Sequence, residues 1–203
     1  MFESFLDFVF PTDCAVCKIP PSPLCDSCAP AFGVAKSSLE GTPVWYATEY
    51  TEPISRILTA YKDQNRTAMI TYLAPGLQQA VADAVLVLGP CWICVPPRNS
   101  INFRKRGFDS VLSLITAGDK FVPGHLPINT LRFQRQVRDQ RRLDKPERAS
   151  NILGSMRAIP GFKRVLLIDD VMTTGSTLKE CMRALGAAGY EVAGICVLAK
   201  RNI

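Results

Sequence analysis

A chain of 203 residues with 47% hydrophobic and 21% charged side chains is too apolar for a disordered protein and too short for two full domains. It suits one buried α/β domain with a small appendage. Its formal charge of +6 is localised: residues 132–148 carry seven basic against three acidic side chains, and Arg98, Arg104, Lys105 and Arg106 lie in a stretch without an acid, which implies an anionic partner, either a polyphosphate or a nucleic-acid backbone.

In chain order, residues 1–10 are apolar but lack a basic start and carry Glu3 and Asp7. A short amphipathic helix docked on the body is expected there, rather than an export signal or a membrane span. Because no later run is long enough to cross a bilayer, a cytoplasmic location is expected. Eight cysteines then read as thiols or metal ligands rather than disulfides.

Cys14, Cys17, Cys25 and Cys28 form two Cys-x2-Cys knuckles, a spacing that supplies four thiolates to one tetrahedral Zn²⁺. Pro20, Pro21 and Pro23 stiffen a loop with little apolar content of its own, so a structural zinc is expected to supply the missing folding energy. The composition shifts near Gly33 to Thr42, dividing the chain into a module over 1–41 and a body over 42–203.

In the body, strand-like and helix-like segments alternate. Trp45 to Tyr50 reads as a strand; Pro53 to Tyr61 as a helix with Ile54, Ile57, Leu58 and Tyr61 on one face; and Thr67 to Val87 as a longer helix. Trp92 to Val95 reads as a short buried strand in which Cys91 and Cys94 are small apolar residues rather than a redox pair. Phe108, Val111, Leu112 and Ile115 repeat at helical spacing, and Leu131 to Asn151 shows no apolar period, as a mobile loop would. His125, the only histidine, lies in a loop and reads as solvated.

Val165 to Ile168 lacks polar alternation, as a strand covered on both faces does. Thr177 and Glu180 fit a capping box for a helix with Leu178, Cys181, Met182, Leu185 and Ala188 as its stripe and Gly189 at its C-cap. Glu191 to Leu198 closes the chain as a strand. This alternation predicts a doubly wound, parallel α/β sheet.

A buried strand that ends in Asp169 and Asp170 and runs into Thr173-Thr174-Gly175-Ser176-Thr177 places its polar groups at the carboxyl edge of such a sheet, where ligands bind. The turn offers successive N–H groups, hydroxyls and a helix N-terminus to a phosphate dianion. The two carboxylates are placed to hold a sugar diol, directly or through Mg²⁺ and its waters. Without a ligand, adjacent acids would stand at that edge with no compensating cation.

The segment Val165 to Thr177 resembles the phosphoribosyl-pyrophosphate motif of type I phosphoribosyltransferases, and nearly the whole chain is similar to the ComF (ComFC, GntX-like) family associated with natural competence. Leu6 to Cys17, Tyr50 to Lys62 and Arg104-Lys105-Arg106-Gly107-Phe108-Asp109 carry that likeness, with Gln140, Arg148 and Asn151 in the basic segment. Asp109 and Ser110 stand where the family usually has Asn and Gln, and Val95-Pro96-Pro97 replaces a Val-Pro-Val-Pro run.

The resemblance implies a phosphoribosyltransferase-type fold, phosphoribosyl pyrophosphate with Mg²⁺ as ligand, and Arg98, Arg104 and Arg106 on its pyrophosphate. It implies that the basic segment closes over the sugar. With Arg135, Arg138, Arg141 and Arg142, the same segment suits a single-stranded DNA partner. Two readings follow: a transferase with an unnamed acceptor, or a DNA-binding competence factor working with helicase machinery, its sugar-phosphate pocket regulatory or vestigial.

Overall fold

The structure, a computed structural model, describes residues 13–98, 103–104, 106–118, 124, 127, 129–135 and 151–202. The helix expected over 1–10, His125, and Arg138, Arg141 and Arg142 lie outside the described residues.

The strands are β1 (Ala35–Leu39), β2 (Thr42–Glu49), β3 (Trp92–Cys94), β4 (Leu131–Phe133), β5 (Met156–Ala158), β6 (Arg164–Met172) and β7 (Glu191–Lys200). The helices are α1 (Glu52–Asp63), α2 (Ile70–Leu88), α3 (Ser110–Ile115) and α4 (Ser176–Ala187). Five strands form one sheet in the order β1-β2-β7-β6-β3. From β2 to β3 all pairings are parallel, and β1 adds an antiparallel edge.

The unbroken apolar run in β6 has the expected cause. Leu166 and Ile168 belong to one core cluster with residues of α1, α2 and α3, while Val165 and Leu167 belong to a second with Leu178, Cys181 and Leu185 of α4. Successive side chains of a strand point to opposite faces, so both faces of the sheet are covered, as a doubly wound sheet requires.

The structure departs from the expected elements at several places. β1 is a strand that Ala-Lys-Ser-Ser-Leu did not announce, because its alternation is one of partial burial rather than apolarity. It pairs with β2 across the turn at Glu40-Gly41, joining residues from before position 42 to the sheet. β6 does not end at Asp169 and Asp170 but runs on through them to Met172, with Asp169 in register with Val197. The long helix begins with a 3₁₀ turn, Thr67–Met69, before α2.

Of the basic segment only residues 131–135 and 151 are described. Its start is β4, which pairs antiparallel with β5 just beyond its end. Glu180 anchors that ribbon instead of closing a capping box. It is buried on α4, accepts the Met156 N–H at 2.8 Å and pairs with Arg183 at 2.8 Å. α4 therefore starts at Ser176 after Gly175, with no side-chain cap.

Candidate functional site

The four knuckle cysteines converge, all their sulfur atoms lying within 4.8 Å of one another, with Cys17 Sγ 3.7 Å from Cys25 Sγ. Four sulfurs at about 2.3 Å from a tetrahedral zinc stand about 3.8 Å apart, so the donor set could hold one metal ion. Burial pushes the Cys14 thiol up, but backbone N–H groups of Cys25, Cys17 and Val16 outweigh it and hold the group down at about 6. Cys91 and Cys94 are buried instead, and burial pushes the Cys94 thiol up to about 12.

The module is tied to the body by arginines. Arg56 of α1 donates to the Val16 carbonyl at 2.9 Å. Arg66, itself buried, donates to the carbonyls of Asp13 and Pro23.

β6 delivers the acidic pair. Asp170 is buried to 9% exposure and its Oδ2 pairs with Lys62 Nζ at the end of α1. The Asp169 carboxylate accepts the Asp170 N–H at 2.9 Å. Burial, then the Asp170 charge, push the Asp169 carboxyl up to about 7, against the pull of Lys62. The compensating cation that the sequence seemed to lack is therefore Lys62, and the pair is more enclosed than an exposed strand end. Hard carboxylate oxygens of this kind fit Mg²⁺, which binds through one or two carboxylates and ligand phosphates.

Both aspartates line a cavity of about 140 Å³ whose other walls include Arg98, Arg106, Phe103 and Phe108. The loop after β3 supplies Arg98, which stacks 4.7 Å from the Phe103 ring centre and pairs with Asp109 at 3.2 Å. Asp109 also caps α3 by accepting the Leu112 N–H. Arg106 pairs with Asp63 at 3.2 Å. Gln78 of α2 fixes α3 by donating to the carbonyls of Leu114, Ile115 and Ala117.

The hydroxyl turn lies where β6 gives way to α4. Thr174 Oγ1 and Ser176 Oγ are 2.8 Å apart, and Gly175 has a φ of +72°. A Cβ on Gly175 would stand 2.8 Å from Leu39 Cδ1, so β1 packs on the turn. Thr173, Thr174, Ser176 and Thr177 are partly exposed.

The cavity thus unites Asp169, Asp170, Arg98 and Arg106. Arg104, which is exposed, and Thr173 to Thr177 are not among its lining. Arg135 is exposed at the end of the ribbon and donates to the Leu153 carbonyl at 2.9 Å. Sequence reading missed Lys62, Asp63 and Asp109 as partners of the site. Asp109 carried a signal as the acid directly after the basic Arg104–Phe108 stretch; Lys62 and Asp63 carried none beyond the Tyr-to-Lys likeness.

Residues 128–203 match the family described as phosphoribosyl transferase domain. Short stretches are similar to two enzymes. One is the adenine phosphoribosyltransferase of Clavibacter michiganensis subsp. michiganensis, 62% identical over 39 residues, or 19% of this chain and 22% of that one. The other is the orotate phosphoribosyltransferase of Chromohalobacter salexigens, 45% identical over 52 residues, or 26% and 20%. Each stretch spans about a fifth of the enzyme it matches. The likeness to competence protein F of Haemophilus influenzae is far broader, 30% identity over 161 residues, which is 74% of this chain and 69% of that protein. With the doubly covered sheet, the clustered cysteines and the acidic pair in place, this chain belongs to the ComF family, carrying a phosphoribosyl transferase domain behind a four-cysteine module.

Proposed function

We propose that the chain binds phosphoribosyl pyrophosphate with Mg²⁺ and transfers its ribose-5-phosphate group to a nucleophile, in the service of DNA uptake during natural competence. The observation that carries this reading is one cavity holding Asp169 and Asp170 together with Arg98 and Arg106. The carboxylates take the ribose diol, the arginines the pyrophosphate, and Thr173 to Thr177 the 5-phosphate. Arg104 reaches the pyrophosphate from the exposed rim. Mg²⁺ would be held by the carboxylates and the ligand, neutralising phosphate charge.

In the transfer the bond from C1 to the pyrophosphate oxygen breaks as the nucleophile's electron pair bonds to C1. Positive charge builds on the sugar ring and negative charge on the leaving group. Positioning and electrostatics supply most of such catalysis: the acidic pair lies beside the first charge and Arg98 and Arg106 beside the second. The four knuckle cysteines hold a structural Zn²⁺, and residues 1–41 form its module, lending β1 to the sheet of 42–203. The protein works in the cytoplasm; among the described residues no helix is long and apolar enough to cross a membrane.

The experiment is a thermal-shift titration with phosphoribosyl pyrophosphate and Mg²⁺, since a ligand that binds only the folded state raises Tm. Asp169→Asn with Asp170→Asn is expected to fold and to lose the shift; an unchanged shift rejects the assignment.

The breadth of the likeness to competence protein F favours a second reading, in which the basic segment also binds single-stranded DNA beside helicase machinery. Changing Arg135, Arg138, Arg141 and Arg142 to Ala should then flatten the salt dependence of DNA binding by about 0.7 per lost phosphate contact. A salt slope equal to the wild type's removes the segment from DNA contact. Phosphoribosyl pyrophosphate that displaces DNA would mark one shared surface.

A further inference from the structure

Two charged groups that the proposed ligand needs at the heart of the cavity, Asp170 and Arg106, already have partners, and those partners are consecutive in the chain. Lys62 Nζ sits on Asp170 Oδ2, and Asp63 Oδ1 accepts from Arg106 Nη2 at 3.2 Å. These are enclosed pairs: the side chains of Lys62, Asp170, Arg106 and Asp63 are 20%, 12%, 15% and 29% exposed. Solvent therefore screens them less than it does ordinary surface pairs.

The signs repeat those of a metal-chelated polyphosphate. A cation lies against the acidic pair and an anionic oxygen lies against the arginine. We propose that Lys62-Asp63 is an internal occupant of this site, its ammonium standing in for a divalent cation on Asp170 and its carboxylate for a phosphate oxygen on Arg106. A chelated polyanion then binds by exchanging both ion pairs.

The inference rests on the reading of Asp170 and Arg106 as ligand groups. The physical need is plain: buried charges left without partners are strongly destabilising, and this dipeptide compensates two of them while no ligand is bound. The consequence is competition, because a site occupied from within has its apparent affinity reduced by the fraction of molecules that are open.

The exchange is a movement of side chains rather than of the helix. α1 is held by Arg56 on the Val16 carbonyl, and Tyr61, one residue before Lys62, donates its hydroxyl to the Ser110 carbonyl at 2.9 Å. Neighbouring helix positions project about 100° apart, so one helix end can address two partners of opposite sign.

The test uses the full chain and two probes that need no turnover, Mg²⁺ alone and inorganic pyrophosphate alone, titrated by calorimetry. Lys62→Met should tighten Mg²⁺ binding by on the order of tenfold, as the loss of a competing ion pair worth about 1.4 kcal/mol would, while Lys62→Arg stays near wild type. Asp63→Asn should tighten pyrophosphate binding to a similar degree, while Asp63→Glu does not. Lys163→Met, which removes a charge from over the Trp92 ring ahead of β6, should change neither affinity.

If Lys62→Met does not fold, Lys62→Gln takes its place, and the Asp63 arm stands by itself. Wild-type protein that binds the probes while the Lys62 and Asp63 variants bind them no more tightly would overturn the internal occupant and leave the proposed function intact. No binding of either probe by any form would overturn the ligand site itself, and the occupant with it.

Discussion

Gly175 is where backbone geometry most constrains the candidate site. Its φ of +72° is a conformation L side chains rarely adopt, and Leu39 Cδ1 would meet a Cβ there at 2.8 Å. Gly175→Ala should lower stability by about 1–2 kcal/mol from the left-handed backbone alone, with the Leu39 overlap added. Urea unfolding of Gly175→Ala, with and without Leu39→Ala, separates the two: the second change should recover only the steric part. Full recovery would mean that the backbone conformation costs nothing. The glycine was legible in the sequence as a close-approach residue of the turn. Leu39 was not, because it comes from a strand that the sequence did not announce.

At the scale of elements, α4 owes its place to a charge. Burial pushes the Glu180 carboxyl up, but Arg183 and the N–H groups of Met156 and Gly154 outweigh it and hold the group below its ordinary 4.5. A depressed folded-state value contributes stability that is present above 4.5 and is lost as pH falls through the lower folded-state value. Glu180→Gln should therefore cost about 2 kcal/mol at neutral pH. The gap to wild type should narrow as the pH falls below 4.5, measured by denaturant unfolding across pH. A gap independent of pH would deny the carboxylate its role in pinning the β4–β5 ribbon. The Thr177–Glu180 spacing looked like a capping box because local sequence shows only what is close along the chain. Tertiary contact with Met156 offered Glu180 a partner that spacing could not reveal.

For the whole molecule, the cysteine module and the candidate site share α1. Arg56 and Arg66 tie the knuckle carbonyls to this helix and the turn that follows it, and Lys62 and Asp63 at its end pair with Asp170 and Arg106 of the cavity wall. One zinc per chain is expected by elemental analysis. Chelation should lower Tm by on the order of 5 °C, since metal binding that exists only in the folded state adds to folding free energy. Protein that holds no zinc, with its four thiols free and the module still resistant to protease, would refute the structural metal.

Features that depend on nearest neighbours and on period could be read along the chain: the two cysteine knuckles, the amphipathic stripes of α1 and α4, the two-faced apolar run of β6, and the acidic pair leading into a hydroxyl turn. These are legible because strand and helix periods, chelate spacing and turn chemistry are local. Which charges meet is set by the fold. Lys62 on Asp170, Asp63 on Arg106 and Asp109 on Arg98 are contacts between different segments of the chain, and a charge on a helix end or loop carries no local mark of the partner it will find. The same holds for β1, whose strand character comes from its hydrogen bonds to β2 rather than from any apolar pattern of its own.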